Sequence, residues 1–358
     1  MFLSVADWLK GSGKHSISVP VMDGALKPND ALDAADELHR GVEPDNLAVS
    51  GRAVHFSIGH KILSLDPENS GRATPVGELS AEVTCLAAVD DQLAVGLETG
   101  EVRILGGRFD GAVINRVGDR PTKAPVALHF ENGHSLLLAL GSQIHSPAGW
   151  KRDLMEGNAC GSVWRIDLAS GESRLLCDRM AFPYGIAITL GGAILVAESW
   201  KHRIVDISRG APRVVVDDLP FYPARLATTS TGDVLVCGFA PRRQLVEFVL
   251  REREFLRRMM SEIPEQHWMA PALGSGTDYW EPLQQGQIRH HGVLKRWSPT
   301  KSYGLVATMD PSGRFLSSSH CRAGGARHGI TSAIESGSRI VMTSKGGGVV
   351  LAMPAREA

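Results

Sequence analysis

The feature of this chain that most restricts its fold is a hairpin unit that recurs along almost the whole length. One copy runs from Phe182 to Ile204: an apolar run ends at Leu190, a Gly191-Gly192 pair follows, and a second apolar run begins at Ala193. Two β-prone runs on either side of a Gly-Gly pair predict a hairpin, because the turns that match strand twist need positive φ angles. The unit is therefore one piece of an antiparallel sheet.

Five further stretches share this layout, and copies that no insertion interrupts recur at roughly 40 to 50 residues, the period of propeller blades. They are Leu47 to Asp66, Cys85 to Leu105, Val126 to Ile144, Leu226 to Val249 and Ile330 to Met353. One blade cannot bury both of its faces alone, whereas blades stacked around an axis can. We predict an all-β fold, a six-bladed β-propeller that forms a single domain over residues 1–358.

Composition excludes several classes of partner. The formal net charge is -1 and the pI is near 6.9, so we expect no binding to nucleic acid or to an anionic membrane. No signal peptide and no spanning run of roughly 18 apolar residues is recognised. The five cysteines are scattered without a CxxC pair, which suits a reducing compartment. We expect a cytoplasmic protein whose partner is a small-molecule substrate, in an oligomeric state that the sequence leaves open.

Several segments depart from the repeat. Residues 1–42 are expected to pack across one end of the propeller. An insertion is expected over residues 250–299. The run that starts at Gln244 has apolar spacing typical of one helix that ends before Pro264, and a long irregular stretch containing His290 and His291 follows from about Met269. Because such long loops are often lids, we predict a helical and loop insertion between blades five and six that covers the axial pocket. Trp150 to Gly157 is predicted as a loop or single helical turn over a face, and Ser344 to Gly348 as a turn between outer strands.

A set of short runs resembles a known family. FPYGIAI, ILVAESWKHRI, LPFYPARLATTSTGDVLVCGFAPR, SYGLVATMDPSG and HGITSAIESG, with VPVMDGALKPND near the start, are similar to the strictosidine synthase-like family. That family is a branch of the six-bladed propellers that also includes gluconolactonase (SMP-30-type) and paraoxonase enzymes. The resemblance extends from about Val19 to Met353. It implies a small-molecule site at one end of the central channel.

The resemblance also implies a metal that the residues of this chain do not suit. Lactonase and esterase members of the family hold calcium with an acidic residue at the start of blade one, where this chain has Asp45. They add Asn or Asp at the starts of later inner strands, where this chain has Pro125, Tyr184 and the pair Ala224-Arg225. Calcium takes six to eight oxygen ligands, so we predict no metal and no other cofactor. The alternative is a calcium ion held by backbone carbonyls and Asp45. The glutamate used by the ring-forming plant synthases corresponds to Thr331.

Candidate site residues follow from blade geometry, because inner-strand starts and second-strand ends lie at the same face of an antiparallel blade. Proton transfer is assigned to Asp45, Glu198 and His328, and polarisation of an oxygen to Tyr184 and Arg225. Structural alternatives are backbone hydrogen bonding for Glu198, an ion pair for Asp45 with Arg225, and channel filling for Tyr184. Substrate binding is assigned to Asn46, His60, Ser142, Trp200, Cys237 and Thr331.

Polar groups at the mouth of an apolar channel are typical of an enzyme site. We therefore predict a metal-independent enzyme that uses acid/base chemistry on a small organic molecule. It would be a hydrolase of lactones or esters, or a lyase or cyclase that performs a ring-forming or isomerising step. The alternative is a non-catalytic propeller that binds a small ligand or a protein partner. Polar groups that lie roughly 3 Å from a common point would favour the enzyme, and groups paired with one another would favour the binding protein.

Overall fold

The computed structural model describes residues 18–69, 72–275, 289, 290, 293, 294 and 301–355. Six four-stranded antiparallel sheets follow one another along the chain. The first strands of neighbouring sheets contact one another in a closed ring. This arrangement confirms the predicted all-β, six-bladed propeller, in which each blade begins at the central axis and its later strands step outward.

The first half of the chain forms three blades. Strand β1 (Asp36–Arg40) precedes blade one, which contains β2 (Asp45–Ser50), β3 (Ala53–Ile58), β4 (Lys61–Leu65) and β5 (Thr74–Glu78). Blade two contains β6 (Val83–Val89), β7 (Gln92–Leu97), β8 (Val102–Leu105) and β9 (Val113–Ile114), and the small hairpin β10 (Arg116–Val117) and β11 (Arg120–Pro121) follows it. Blade three contains β12 (Pro125–Asn132), β13 (Ser135–Leu140), β14 (Gly161–Asp167) and β15 (Ser173–Met180), with helix α1 (Trp150–Glu156) between β13 and β14.

The second half forms the other three blades. Blade four contains β16 (Pro183–Ile188), β17 (Ile194–Glu198), β18 (Arg203–Asp206) and β19 (Arg213–Val216). Blade five begins with β20 (Phe221–Thr228) and β21 (Val234–Pro241); after α2 (Gln244–Val249), α3 (Arg253–Glu262), β22 (Arg289–His290) and β23 (Val293–Leu294), it ends with β24 (Leu305–Met309) and β25 (Phe315–His320). Blade six contains β26 (Ile330–Ser336), β27 (Arg339–Ser344) and β28 (Val349–Pro354). Short 3-10 helices span Gly24–Leu26, Ala31–Ala34, Pro147–Gly149, Ser199–Lys201 and Glu265–His267.

The ring is closed by a strand from the N-terminal part of the chain. Strand β1 pairs antiparallel with β28 and so forms the outer strand of blade six. The 3-10 helices before it contact β25; Asn29 donates to the Ser318 carbonyl at 2.9 Å and accepts the His320 N–H at 3.0 Å. The part of 1–42 that the structure describes therefore runs along the outer strands, whereas we predicted packing across one end; residues 1–17 lie outside the described residues.

The large insertion lies inside blade five, not between blades five and six as predicted. The sheet order β20-β21-β24-β25 shows that the blade resumes after the insertion. The predicted single helix is two helices, and the second ends at Glu262, before Pro264 as expected. In blade three, the segment predicted as a loop or single turn is the seven-residue helix α1, which ends where Gly157 adopts a φ of 70°.

The largest buried cluster joins blades four, five and six to the insertion. Tyr222 and Phe239 from blade five pack in it with Leu256 of α3 and with Trp268. The insertion is thus anchored by apolar contacts to its own blade and stabilised by their burial. None of the helices within the described ranges is long and apolar enough to cross a membrane. The cytoplasmic location stays a prediction.

Candidate active site

A cavity of about 420 Å³ lies where inner-strand starts meet second-strand ends, at one end of the axis. Its walls are of three chemical kinds, which come from different parts of the ring. Carboxylates from blades one and two are Glu43, Asp45, Glu82 and Glu98. Aromatic rings from blades three to five are Trp150, Phe182, Tyr184, Trp200 and Phe239, and lysines from blade three, the insertion and blade six are Lys151, Lys301 and Lys345.

Asp45 lies at the floor of this cavity, at the first position of β2. It is 4% exposed. Its Oδ1 accepts hydrogen bonds from Arg225 Nη1 at 2.8 Å, from the Thr331 hydroxyl at 2.7 Å and from the Asn46 N–H at 2.8 Å. Its Oδ2 accepts one from Lys345 Nζ at 3.2 Å. The Asp45 carboxylate is therefore shared by two cations, Arg225 and Lys345. Of the predicted site residues, Arg225 and Thr331 both donate to it.

The guanidinium of Arg225 lies across the axis and binds groups from four blades. Besides Asp45, it donates from Nη2 to the Thr84 carbonyl at 2.7 Å and to the Val126 carbonyl at 3.4 Å. Its carbon lies 4.9 Å from the centre of the Tyr184 ring, an orientation typical of a cation–π contact. Gly185 makes room for strand β20, which carries Arg225, because a Cβ on Gly185 would lie 2.5 Å from the Ala224 carbonyl oxygen.

These contacts fix the protonation states at the floor. Burial opposes the charged form of Asp45, but Arg225 and Lys345 hold the pKa of its carboxyl below the ordinary value. Burial likewise opposes the charged form of Lys345, yet the charge of Asp45 raises the pKa of that ammonium. Burial raises the pKa of the Tyr184 phenol. At neutral pH the floor therefore presents a carboxylate acceptor, an ammonium donor and a phenol donor.

The aromatic side of the cavity is a continuous wall of rings. Phe182 stacks on Trp200 with centroids 4.4 Å apart, Tyr184 contacts Phe239 edge-on at 6.1 Å, and Trp150 contacts Phe239 at 5.6 Å. Phe182 has a φ of 56°, a left-handed conformation that is unfavourable for a bulky residue. Strain of this kind concentrates at functional sites. The wall offers an apolar face for the body of a ligand.

The insertion borders the cavity, and its role as a lid stays a prediction. Gln266, Ala272, Leu273 and Gly274 line it. The insertion backbone also presses against the turn between β27 and β28, where a Cβ on Gly346 would lie 1.8 Å from the Leu273 carbonyl oxygen. Only glycine fits this contact. The side chains of residues 276–300, including His290 and His291, lie outside the described residues.

Two residues that we predicted to transfer protons do not line the cavity. Glu198 is 1% exposed; its Oε1 accepts the Ala181 N–H and the Lys201 ammonium, each at 2.8 Å, and its Oε2 accepts Arg203 Nε at 2.6 Å. His328 bonds through Nδ1 to the Ser302 hydroxyl at 2.6 Å and through Nε2 to the Arg322 carbonyl at 2.9 Å. Both side chains are held by structural partners away from the floor, which corresponds to the structural alternative for Glu198.

Of the six residues assigned to substrate binding, only Trp200 lines the cavity and only Thr331 contacts its floor through a side-chain hydrogen bond. His60 is exposed and pairs with Glu78 at 3.0 Å. Ser142 is buried and accepts the Ile144 N–H at 3.0 Å. Cys237 is buried, and burial raises the pKa of its thiol, which disfavours the nucleophilic thiolate.

Asn46 follows Asp45 but is directed away from the cavity. It has a φ of 63°, and its amide donates to the Ser57 hydroxyl at 2.8 Å and to the Val83 carbonyl at 3.0 Å. Its Oδ1 is buried and has no hydrogen-bond partner in the part of the chain that the structure describes. Its contacts therefore join blade one to blade two.

The cavity lysines were not among the predicted site residues. Lys345 lies in the run predicted as a turn between outer strands, but that turn joins the second and third strands of blade six and faces the cavity. Two signals pointed to it: Ser344 ends a second strand, and consecutive glycines indicate close backbone approach. Lys151 and Lys301 come from insertions that follow no repeat, so the sequence carried no signal for them.

The residues at the axis do not fit a calcium ion. Calcium takes oxygen ligands, and three oxygens near the axis are Asp45 Oδ1 and the carbonyls of Thr84 and Val126. All three accept hydrogen bonds from Arg225, whose charge would repel a second cation. Within the described ranges, no group of three or more His, Cys, Asp or Glu side chains is placed to hold a metal.

Comparisons with known proteins agree with this architecture. No protein-family model matches the chain. The Adipocyte plasma membrane-associated protein of Danio rerio is 24% identical over 284 residues, 69% of this chain and 66% of that protein. Protein STRICTOSIDINE SYNTHASE-LIKE 13 of Arabidopsis thaliana is 24% identical over 240 residues, 59% of each, and the Bos taurus adipocyte protein is 25% identical over 190 residues, 49% of this chain and 39% of that protein. Each match spans less than two thirds of the relative's length.

Solved structures with the same fold cover the chain more fully. A gluconolactonase from Xanthomonas campestris aligns over 94% of this chain and 96% of its own, with a TM-score of 0.57 and 13% identity. A luciferin-regenerating enzyme aligns over 88% and 92%, with a TM-score of 0.52 and 10% identity. Regucalcin from Agrobacterium tumefaciens, described as a calcium-binding protein, aligns over 89% and 92%, with a TM-score of 0.51 and 11% identity.

The chain is thus a six-bladed β-propeller with a polar-floored axial cavity. By sequence it is distantly similar to strictosidine synthase-like and adipocyte plasma membrane-associated proteins. The first of these similarities is the one that its short runs predicted.

Proposed function

We propose that this chain is a metal-independent enzyme that hydrolyses a lactone or ester of a small, partly apolar molecule in the axial cavity. One observation carries the proposal: Asp45 Oδ2 and Lys345 Nζ lie 3.2 Å apart at the floor of an aromatic-walled cavity, beside Tyr184. A proton acceptor and two donors in one concave, partly dry site are what acyl transfer to water requires.

Each group has a role that follows from its protonation state. Asp45 accepts a proton from a water molecule as the water oxygen bonds to the carbonyl carbon. The carbonyl oxygen becomes an oxyanion, which accepts hydrogen bonds from the Lys345 ammonium and the Tyr184 phenol. When the bond between the carbonyl carbon and the ester oxygen breaks, Asp45 returns the proton to the leaving oxygen. One water is consumed, and an acid and an alcohol form.

Metal independence is part of this proposal. In a metal-dependent hydrolase, the ion stabilises the negative charge that develops on oxygen. Here Arg225 and Lys345 bring two positive charges to the floor, and one carboxylate, Asp45, neutralises only one of them. The surplus charge supports the oxyanion without an ion. A gluconolactonase and a luciferin-regenerating enzyme share the fold, which is consistent with small-molecule chemistry in such a cavity.

Turnover of a panel of aromatic and aliphatic lactones and esters tests the proposal. Lys345→Met should lower kcat by about 10² to 10³ on any substrate found, the usual loss for one oxyanion donor. Lys61→Met removes an exposed lysine of β4 and serves as the matched control, with unchanged turnover. Wild-type activity that Lys345→Met and Asp45→Asn both leave intact would refute the assigned site.

A second candidate, a propeller that binds a small ligand without converting it, is favoured by the pairing of its polar groups. Asp45 Oδ1 already has three donors, and both carboxylate oxygens of Glu98 accept the Ala148 N–H at 3.1 Å. Groups satisfied by one another are less available for proton transfer. Specific ligand binding, with no turnover of the panel by the wild-type chain, would favour this candidate.

A further inference from the structure

Asp153 is a buried carboxylate that lies behind the aromatic wall. It belongs to helix α1 and is 1% exposed. Its Oδ1 accepts a hydrogen bond from Trp200 Nε1 at 2.9 Å, and its Oδ2 accepts one from Asn158 Nδ2 at 3.3 Å. Both of these donors are neutral. Because a carboxylate is costly to bury beside neutral donors, its presence indicates a role beyond the stability of the fold.

The backbone that carries Phe182 and Trp200 is held without Asp153. The Ser199 N–H donates to the Phe182 carbonyl at 3.1 Å, and the Trp200 backbone N–H donates to the Ala181 carbonyl at 3.2 Å. Glu198 Oε1 accepts the Ala181 N–H at 2.8 Å. These bonds fix where the two side chains begin, and they leave rotation of the Trp200 side chain about its own bonds to be fixed by other contacts.

Two contacts fix that rotation. The Trp200 ring stacks on Phe182 with centroids 4.4 Å apart and an angle of 24° between the ring planes, which sets the plane of the indole. The hydrogen bond from Nε1 to Asp153 is directional, so it also sets which edge of the indole faces the cavity. Indole has one polar atom, and that atom is a donor only. With this donor engaged by Asp153, Trp200 presents carbon atoms to the cavity.

The same hydrogen bond holds helix α1 against blade four. Trp150, which begins α1 and lines the cavity, lies 6.2 Å from Trp200 between ring centroids. Just before α1, the Ala148 N–H donates to Glu98 of blade two at 3.1 Å. Glu98 therefore ties the start of α1 to blade two, and Asp153 ties its middle to blade four. The spacing of the two tryptophans follows from both bonds.

We propose that Asp153 is a positioning residue, which accepts the Trp200 Nε1–H and so holds the indole in the orientation that makes this part of the cavity apolar. The inference rests on the proposed function only in that the apolar body of a ligand lies against the aromatic wall. The wall contacts that body before and during the reaction alike. Loss of the Asp153 acceptor should therefore raise KM and leave kcat nearly unchanged on any substrate found.

Proton–nitrogen NMR spectra of the labelled full chain test the hydrogen bond itself. Loss of one indole N–H signal in Trp200→Phe assigns the signal of Trp200. In the wild-type chain this signal should exchange slowly with solvent, because the N–H is hydrogen-bonded. Asp153→Leu removes the acceptor and should shift the signal and speed its exchange, whereas Asp153→Asn keeps an acceptor oxygen and should retain slow exchange. Fast exchange in the wild-type chain, or an unchanged signal in Asp153→Leu, would overturn the proposal.

Binding of N-phenylnaphthylamine, a neutral fluorescent probe with an apolar body, measures the effect on the wall. Asp153→Leu should weaken binding of the probe by about tenfold, the factor that corresponds to one hydrogen bond to a charged group. When Trp200→Phe is already present, adding Asp153→Leu should weaken binding no further, because the indole N–H is gone. Asp217→Leu changes an exposed aspartate and serves as the matched control, with wild-type affinity.

The double variant separates positioning of Trp200 from a general structural role. An equal loss of affinity on Asp153→Leu with and without Trp200→Phe would show that Asp153 acts through the fold as a whole and would overturn the proposal. Wild-type affinity in Asp153→Leu, or no binding of the probe to the wild-type chain, would also overturn it. If Asp153→Leu does not fold, exchange of the Trp200 signal in the wild-type chain and in Asp153→Asn still decides. None of these measurements needs turnover, so a failure of the proposed hydrolysis is distinguishable from a failure of this inference.

Discussion

Arg225 Nη1 donates to Asp45 Oδ1 at 2.8 Å and so joins the inner strand of blade five to the inner strand of blade one across the propeller axis. Both side chains are almost fully buried. A guanidinium at the axis acts as a cation that belongs to the chain itself, and it gathers oxygens from three blades. The pair is therefore both a structural tie and the base of the candidate active site.

Replacing one member of this buried pair should destabilise the fold more than replacing both members. Asp45→Asn leaves Arg225 without its carboxylate and should lower the free energy of unfolding by about 3 to 5 kcal/mol. The double variant Asp45→Asn/Arg225→Met should lose less than the sum of the two single changes, because it leaves only Lys345 without its carboxylate, whereas Asp45→Asn alone leaves both Arg225 and Lys345 without it. Urea denaturation of the four proteins gives the coupling energy. Additive effects would show that the pair does not interact in solution.

The stability of the protein should fall as pH drops through the weakly acidic range because of His320. This side chain is fully buried, and burial lowers the pKa of its imidazole to about 4. The unfolded chain takes up the proton near pH 6.5, whereas the folded chain does so only near its lowered pKa. The stabilising effect is thus complete above pH about 6.5 and is lost progressively towards pH about 4, by at most about 3 kcal/mol.

Denaturation midpoints of wild type and His320→Gln, measured at several pH values, test this dependence. The variant should show a flatter profile. His60→Gln changes an exposed histidine and should keep the wild-type slope. A wild-type slope that persists in His320→Gln would assign the effect to another group.

The contact between the insertion and the turn of blade six should control access to the cavity. Gly346→Ala places a methyl group against the Leu273 carbonyl and should displace the insertion. We expect faster quenching of tryptophan fluorescence by acrylamide, because Trp150 and Trp200 become more accessible. Gly191→Ala is the matched control, since a Cβ there meets only Thr189 Oγ1 at 3.8 Å. Equal quenching in both variants would show that this contact does not cover the cavity.

The pH profile of hydrolysis should be unusually broad. Asp45 must be ionised, and Lys345 and Tyr184 must be protonated; the pKa of Asp45 lies below its ordinary value, and those of Lys345 and Tyr184 lie above theirs. We expect kcat/KM to stay constant from about pH 5 to about pH 9. It should decrease only below about pH 3.9, the ordinary pKa of aspartate, and above about pH 10, the ordinary pKa of tyrosine and lysine. An inflection between pH 6 and pH 7 would instead indicate a catalytic histidine.

The blades could be predicted from sequence because each is a local hairpin with its own turn signal, as the Gly191-Gly192 turn between β16 and β17 illustrates. Closure of the ring by β1 could not, since its pairing with β28 joins residues more than three hundred positions apart and leaves no local pattern. The position of the insertion was missed for a similar reason. Strand β24 resumes blade five about sixty residues after β21 ends, which disguised the blade as two separate segments.

The residues of the candidate site likewise divide into those that the sequence could predict and those that it could not. Asp45, Arg225, Thr331 and Tyr184 were predictable because strand starts meet at one face of the ring. Glu198 and His328 share that topological position, but their neighbours Arg203 and Ser302 hold them elsewhere. Topology fixes the level of a residue along the axis, whereas rotamer and partner decide whether its side chain reaches the cavity.

Calorimetric titration of calcium into the purified, chelator-treated protein tests the central claim most directly. If Arg225 supplies the axial cation, the wild-type chain should give no stoichiometric binding heat, and its melting temperature should not change with added calcium. Stoichiometric binding with a rise in melting temperature, abolished by Asp45→Asn, would show that a metal occupies the axis and would contradict the account.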